Sequence, residues 1–302
     1  MRNYYSIADT KYLPNLICLI DSINEKFEGD YNIHILALDE TVSSFLSSKK
    51  RFKNVTIYDL KDVNNDFDIY AVRFLQPSNE AISNANSSGK DAGFVQFCWA
   101  LAPCFGEWLI NRIRSSITYI DADIIFYNDI TCFFDSLEKF SIGFVSHRIP
   151  YVYSSGEYNV GIVHFSFDGP GISAIRRWKS FLTEQQNSYS LCFGTCGDQK
   201  YLEAIKLIYH DDVVVIDEKF GHLAPWNVTF HEYLNNKIIW KAVEQELVYF
   251  HFAHFVYESD SSYRASYNNE WIWGDPLKVN KFVNKLYDDY HIKIMNAKIE
   301  MS

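Results

Sequence analysis

"YIDADIIFYND", residues 119–129, lies near the middle of a 302-residue chain. Apolar residues lead up to Asp121, a single alanine separates it from Asp123, and Asp129 follows after a second apolar run. The composition reads as a buried strand that ends in carboxylates. Desolvating an unpaired carboxylate is costly, so something positive must meet these two. Alternate residues of an extended segment face the same side, and Asp121 and Asp123 therefore aim at one point.

Upstream, "NYYSIA" (3–8) reads as a strand, and "YLPNLICLIDSINEKF" carries Leu13, Leu16, Ile17, Ile20, Ile23 and Phe27 at helical spacing. Pro14 suits a first helical turn. "YNIHILAL" (31–38), "DETVSSFLSSKKRF" and "NVTIYDL" (54–60) continue as strand, helix and strand. This β-α-β-α-β opening predicts a parallel sheet with right-handed crossovers. Residues 62–93 are polar and read as a long connection, and residues 94–113 as a helix bent near Pro103 and Gly106. "SITYID" then delivers the chain to Asp121. The second half mixes strands ("SIGFVSH", "VGIVHFSF", "DVVVID", "LVYFHF") with helices ("ISAIRRWKSFLTEQQ", "DQKYLEAIKLIY").

A formal net charge of -10 argues against nucleic-acid partners, which need a basic face. The N-terminus lacks the apolar run of a signal peptide, and no stretch reads as the ~18 apolar residues of a membrane span. The six cysteines follow neither a disulfide frame nor a zinc pattern, and Cys192 and Cys196 read as reduced thiols. A reducing cytoplasm is the simplest compartment.

Asp9 lies just past the first strand, as Asp121 and Asp123 lie just past a later one. In open parallel sheets, ligands bind at the carboxyl ends of the strands. A divalent cation would neutralise the aspartates and leave positions for phosphate oxygens; Mn²⁺ or Mg²⁺ suits such ligands. The alternative is that Asp121 caps a strand end and Asp123 faces water.

Six segments in order resemble a known family. They are "ADTKY" (8–12), "YIDADIIFYNDI", "YNVGIVHFSFD", "GDQKYL", "LAPWN" and "YFHF" (249–252). Together they are similar to the GT-A fold glycosyltransferases, in particular family 8 and the sugar transferases of bacterial lipopolysaccharide and cell-envelope polysaccharide assembly. The resemblance implies an α/β, Rossmann-like, mostly parallel central sheet flanked by helices. It implies a catalytic domain over 1–265, with a nucleotide-binding half of about 1–125 and an acceptor half of about 126–265. Residues 266–302 follow as a C-terminal helical extension.

The resemblance also implies roles. Asp121, Asp123 and His251 hold Mn²⁺ or Mg²⁺. Asp9 hydrogen-bonds a uracil-type base, Tyr12 stacks on it, and Ala8 and Ala122 offer backbone contacts. Asn159, Asp198 and Gln199 sit at the transferred sugar. The partners are a nucleotide-sugar donor, a UDP-sugar, and a saccharide or lipid-linked saccharide acceptor. Transfer proceeds with retention.

Family 8 members often follow the late histidine with a lysine that touches the diphosphate. Here the run is "HFAHFVYESDSSYRASY", without one. Neutralising the diphosphate then falls more heavily on the metal, with Lys90, Arg264 and Arg73 as candidates to assist. Two other classes share parts of the pattern: a sugar-nucleotide nucleotidyltransferase and a non-catalytic carbohydrate-binding protein. The first would carry a Gly-rich basic loop after the first strand, which "ADTKYLPN" is not. In the extension, Lys278, Lys281, Lys285, Lys293 and Lys298 accompany an apolar stripe. It reads as a helix packed on the core, and secondarily as a weak peripheral contact with the inner face of the membrane.

Overall fold

The computed structural model describes residues 1–63, 91–149, 156–183, 198–217, 220–265 and 280–302. The remainder, which includes Lys90, Arg73, Cys192, Cys196, Lys278 and most of the 62–93 connection, lies outside the described residues.

Strand β1 (Arg2–Ala8), helix α1 (Leu13–Lys26), β2 (Tyr31–Ala37), α2 (Glu40–Ser48), β3 (Val55–Asp59) and a single turn α3 (Leu60–Val63) form the expected opening. Helix α1 buries Leu13, Leu16, Ile17, Ile20 and Ile23, the positions its spacing predicted. Helix α4 (Ala92–Ile113) starts where the Asp91 side chain accepts from the Phe94 N–H, and it ends at Arg114 in the left-handed region. It runs unbroken through Pro103. Strands β4 (Ile117–Ile120) and β5 (Ile124–Phe126), helix α5 (Thr131–Ser136), β6 (Ile142–Ser146), β7 (Tyr158–Phe165), α6 (Gly169–Thr183), α7 (Tyr201–Ile208) and β8 (Val213–Val215) follow. The chain continues through β9 (Gly221–Leu223), β10 (Glu232–Leu234), β11 (Lys237–Trp240), β12 (Val243–Gln245), β13 (Leu247–His251), β14 (Val256–Ser259) and β15 (Ser262–Arg264). It closes with α8 (Lys281–Met301).

The main sheet has the order β3-β2-β1-β4-β7-β6-β8. Its β3-β2-β1-β4 part is wholly parallel; β7 is antiparallel to both β4 and β6, and β8 is parallel to β6. The chain leaves β1 to one side for β2 and returns on the other for β4. The switch point therefore falls between Ala8 and Ile120, where open α/β sheets bind ligands.

One apolar core lies between the sheet and α4, α6 and α7; the other lies under α1, α8 and a small sheet of β5, β13 and β9. Helix α4 serves the first of these cores. By length and composition it is apolar enough to cross a membrane, with a mean hydropathy of 1.2. An 18-residue window of the helix meets that measure. In the fold two thirds of that window is buried, much of it against α6 and the sheet.

Helix α8 buries Val283, Leu286, Tyr287, Tyr290 and Ile294. The Tyr290 ring stacks on Phe252 at 3.9 Å, and its hydroxyl accepts from Asn15 Nδ2 at 2.7 Å. The described part of the extension is thus packed on the core, with Lys281, Lys285, Lys293 and Lys298 exposed.

Candidate active site

The chain leaves β4 through a tight turn. The Asp121 N–H donates to the Gly161 carbonyl at 3.0 Å, and the Ile124 N–H to the Asp121 carbonyl at 3.2 Å. Strand β13 pairs antiparallel with β5, which sets His251 opposite Ile124; the Phe252 N–H donates to the Asp123 carbonyl at 2.8 Å. This register brings together residues 128 positions apart. His251 Nε2 lies 3.0 Å from Asp123 Oδ1 and 3.6 Å from Asp121 Oδ2. The Tyr119 hydroxyl donates to Asp121 Oδ1 at 2.7 Å.

Burial alone would lower the His251 pKa, but Asp123 and then Asp121 outweigh it and raise it above its ordinary value. Burial pushes Asp123 up, and the facing imidazole reverses that and holds it low. Asp121 stays high because burial and Asp123 together exceed what His251 provides. One imidazole thus serves two carboxylates, a buried one and a half-buried one. Two carboxylate oxygens and an imidazole nitrogen within 4.8 Å of one another fit a divalent cation, and the nitrogen favours Mn²⁺ over Mg²⁺.

Asp9 and Tyr12 stand at the end of β1, across the switch point. Asp9 Oδ1 accepts from the Tyr12 N–H at 3.0 Å and so organises the start of α1. Asp39 clamps the same turn, accepting from the Thr10 N–H and hydroxyl at 2.7 Å each. Tyr12 is half-buried against the core; burial, then Asp123 and Asp121, raise the pKa of its hydroxyl, which places that hydroxyl in the field of the acidic pair. The Ala8 carbonyl accepts from the Leu38 N–H at 3.0 Å, and Ala122 is buried between the aspartates.

Asn159 opens β7 on the same edge. Its Oδ1 accepts from the Gly161 N–H at 2.8 Å, and its Nδ2 lies 3.4 Å from both Gln199 Oε1 and His147 Nε2. Asp198 is buried, and its carbonyl accepts from Trp178 Nε1 at 3.0 Å. Gly161 separates this group from the acidic one: a Cβ there would lie 2.6 Å from Asn159 Oδ1 and 2.9 Å from His251 Nδ1. Only glycine leaves room for both.

Three residues not assigned a role from the sequence complete the picture. His147 follows β6 and sits 3.2 Å from Gln199. Trp226, from "LAPWN", is half-buried and meets the rings of His147 and His251 edge to face, each at 5.3 Å. Arg148, at φ +54°, is buried. Its guanidinium donates to the carbonyls of Asp217 and Phe220 and to Gln245 Oε1, and lies over the Trp240 ring. The signal for His147 was the one used for the aspartates, a polar residue just past an apolar strand.

No protein-family model matches the chain. A Bacillus subtilis (strain 168) protein, YfnF, described as uncharacterized, is 24% identical over 246 residues, which span 76% of this chain and 73% of that one. Among solved structures, mouse xyloside xylosyltransferase 1 in its apo form superposes with a TM-score of 0.53 at 12% identity, over 83% of this chain and 97% of that one. The galactosyltransferase LgtC with donor and acceptor sugar analogs gives 0.55 at 14% identity, over 83% and 87%. An active-site mutant of LgtC gives 0.56 at 12% identity, over 94% and 95%. At these identities the likeness is one of architecture: the chain has the GT-A glycosyltransferase fold.

Proposed function

We propose that this chain transfers a glycosyl group from a nucleotide diphosphate sugar, a UDP-sugar, to a saccharide or lipid-linked saccharide acceptor, with retention at the anomeric carbon. The observation that carries the reading is the convergence of Asp121, Asp123 and His251 at the switch point of a GT-A sheet. A Mn²⁺ or Mg²⁺ ion held by these three would act as a Lewis acid toward negative charge on the departing diphosphate.

The chain's own residues supply the rest. Asp9 and Tyr12 receive the base, with Ala8 and Ala122 lending backbone groups. Asp198, Gln199 and Asn159 face the transferred sugar and stabilise positive charge at its anomeric carbon electrostatically. Gln199 is neutral and a poor nucleophile, so the acceptor hydroxyl attacks on the face the diphosphate leaves, its proton passing to the departing phosphate. Lys90 is the proposed diphosphate contact of the chain itself. The nucleotide half is about 1–125 and the acceptor half about 126–265; the extension 266–302 packs on the core and, secondarily, makes a weak peripheral contact with the inner face of the membrane through its lysines. Replacing Lys281, Lys285, Lys293 and Lys298 with glutamine would then abolish salt-sensitive co-sedimentation with anionic vesicles.

A screen of nucleotide sugars for Mn²⁺-dependent hydrolysis, beside calorimetry with UDP, tests the reading. Metal-dependent UDP binding and release of one sugar support it. A protein that binds no nucleotide with either metal is not a glycosyltransferase of this kind.

A further inference from the structure

His147 is held on three sides before it reaches Gln199. Its N–H donates to the Glu157 carbonyl at 2.9 Å, and its carbonyl accepts from Asn227 Nδ2 at 3.2 Å. Its ring Nδ1 lies 2.8 Å from the Gly156 carbonyl. Gly156 is itself fixed, at φ +97°, and the next N–H, that of Glu157, donates to Glu203 Oε1 on α7 at 2.9 Å.

A carbonyl oxygen can only accept, so Nδ1 carries the proton. Burial depresses the His147 pKa to about 4, which keeps the ring neutral and leaves Nε2 an acceptor. Asn159 agrees. Its Oδ1 is committed to the Gly161 N–H, so the group it turns toward His147 Nε2 is its donor, Nδ2. A Gln199 oxygen 3.2 Å from the same Nε2 would set two acceptors against each other; Asn159 Nδ2 favours an oxygen there but only from 3.4 Å, so the shorter contact to His147 decides. The two ends of a glutamine amide are interchanged by a half-turn, and the hydrogen-bond network decides between them.

We propose that His147 is a positioning residue: as the Nδ1–H tautomer it draws the Gln199 amide N–H to its Nε2 and turns the Gln199 oxygen away, toward the cleft. Resting on the glycosyltransfer reading, that oxygen is the end that faces positive charge at the anomeric carbon. A reversed amide would present N–H groups there and oppose the reaction. Trp226, edge-on to the His147 ring, keeps the imidazole in this plane.

The tautomer is measured directly by long-range ¹H–¹⁵N correlation on histidine-labelled protein, with His147 assigned by its loss in His147→Gln. The Nδ1–H pattern is expected, and an Nε2–H or doubly protonated ring at pH 7.5 overturns the proposal. Kinetics form the second arm. His147→Leu should lower kcat for nucleotide-sugar turnover roughly tenfold with KM nearly unchanged, the signature of a group felt only in the transition state. His147→Gln, which keeps an acceptor near the Nε2 position, should recover most of it. A His147→Leu enzyme with unaltered kcat, or one whose defect is wholly in KM, also overturns it. Wild-type protein that turns over no nucleotide sugar yet shows the Nδ1–H pattern defeats the glycosyltransfer reading and leaves the tautomer standing.

Discussion

The Asp121–Asp123–His251 centre and the Arg148 box are both buried and both charged, and they are compensated in opposite ways. Arg148 finds its acceptors inside the protein, in the backbone carbonyls of Asp217 and Phe220 and the side chain of Gln245, with the Asp217 carboxylate at 3.9 Å. Burial lowers its pKa to about 10, yet it stays charged at neutral pH. The acidic centre has one imidazole and one tyrosine hydroxyl for two carboxylates. The Arg148 charge meets acceptors inside the protein at both terminal nitrogens, its Nε excepted, whereas the acidic pair is left short of positive charge and suits a ligand that brings it.

Acid breaks the comparison most severely, and from the Arg148 side. Burial depresses His34, His147 and His164 to about 4 and His231 to about 3, and it pushes His222 well below its ordinary value; Arg148 adds to the shift at His222 and His231. In the unfolded chain each titrates near its ordinary 6.5. As pH falls below that value the unfolded state takes up protons that the folded state refuses, so stability is lost toward pH 4. Each neutral buried histidine contributes about 1.4 kcal/mol of loss per pH unit in this window. The urea midpoint should fall steeply between pH 6.5 and 5. A midpoint independent of pH from 7 to 5 would mean that these rings are already protonated or hydrated in the native state.

Removing the guanidinium comes next. Arg148→Leu strands the carbonyls of Asp217 and Phe220 and the Gln245 oxygen, and should cost about 3–5 kcal/mol in urea unfolding. The folded fraction should still bind UDP with Mn²⁺. A loss under about 1 kcal/mol would indicate that water replaces the guanidinium, and that the box is less dry than its burial implies.

The mirror-image experiment is Asp121→Ala, which removes the carboxylate that burial and Asp123 hold above its ordinary pKa. It should weaken Mn²⁺-dependent UDP binding roughly a hundredfold or more, because it removes an anionic ligand. The metal-free protein should be no less stable than wild type, since a desolvated charge has gone. If instead stability drops and metal-dependent binding persists, the acidic pair is structural and the contrast with Arg148 collapses.

This contrast also marks what the sequence could disclose. Asp121, Asp123 and Asp9 were legible because each ends an apolar strand, and strand ends in a β-α-β chain converge by topology. Helix α1 was legible from its period and Pro14, and α4 from its long apolar run. His251 was legible only through family resemblance, because its place beside Asp123 depends on the β5–β13 register, a pairing across more than a hundred residues. The Arg148 box was not legible at all. Its acceptors are backbone carbonyls, which carry no residue signature. The β10–β12 hairpins did leave one in "NN", where Asn235 and Asn236 both take positive φ, as a two-residue hairpin turn requires.

The finest test concerns Tyr12, which touches both kinds of environment. Its ring packs half-buried against the core, as a structural aromatic would, while its hydroxyl lies in the field of Asp123 and Asp121. Stacking of the ring on a nucleotide base is worth roughly 1–3 kcal/mol. Tyr12→Phe keeps the ring and loses only the hydroxyl, so the donor KM should hardly change. Tyr12→Ala loses the stacking face, and the donor KM should rise while kcat at saturation holds. Half-burial makes the alternative concrete. If the ring serves only the core, Tyr12→Ala lowers the thermal midpoint of the ligand-free protein and leaves the donor KM of the folded fraction unaltered. Because Asp9 accepts from the Tyr12 backbone N–H, neither substitution removes that bond at the start of α1. The two outcomes therefore separate nucleotide contact from packing without disturbing the turn that carries both residues.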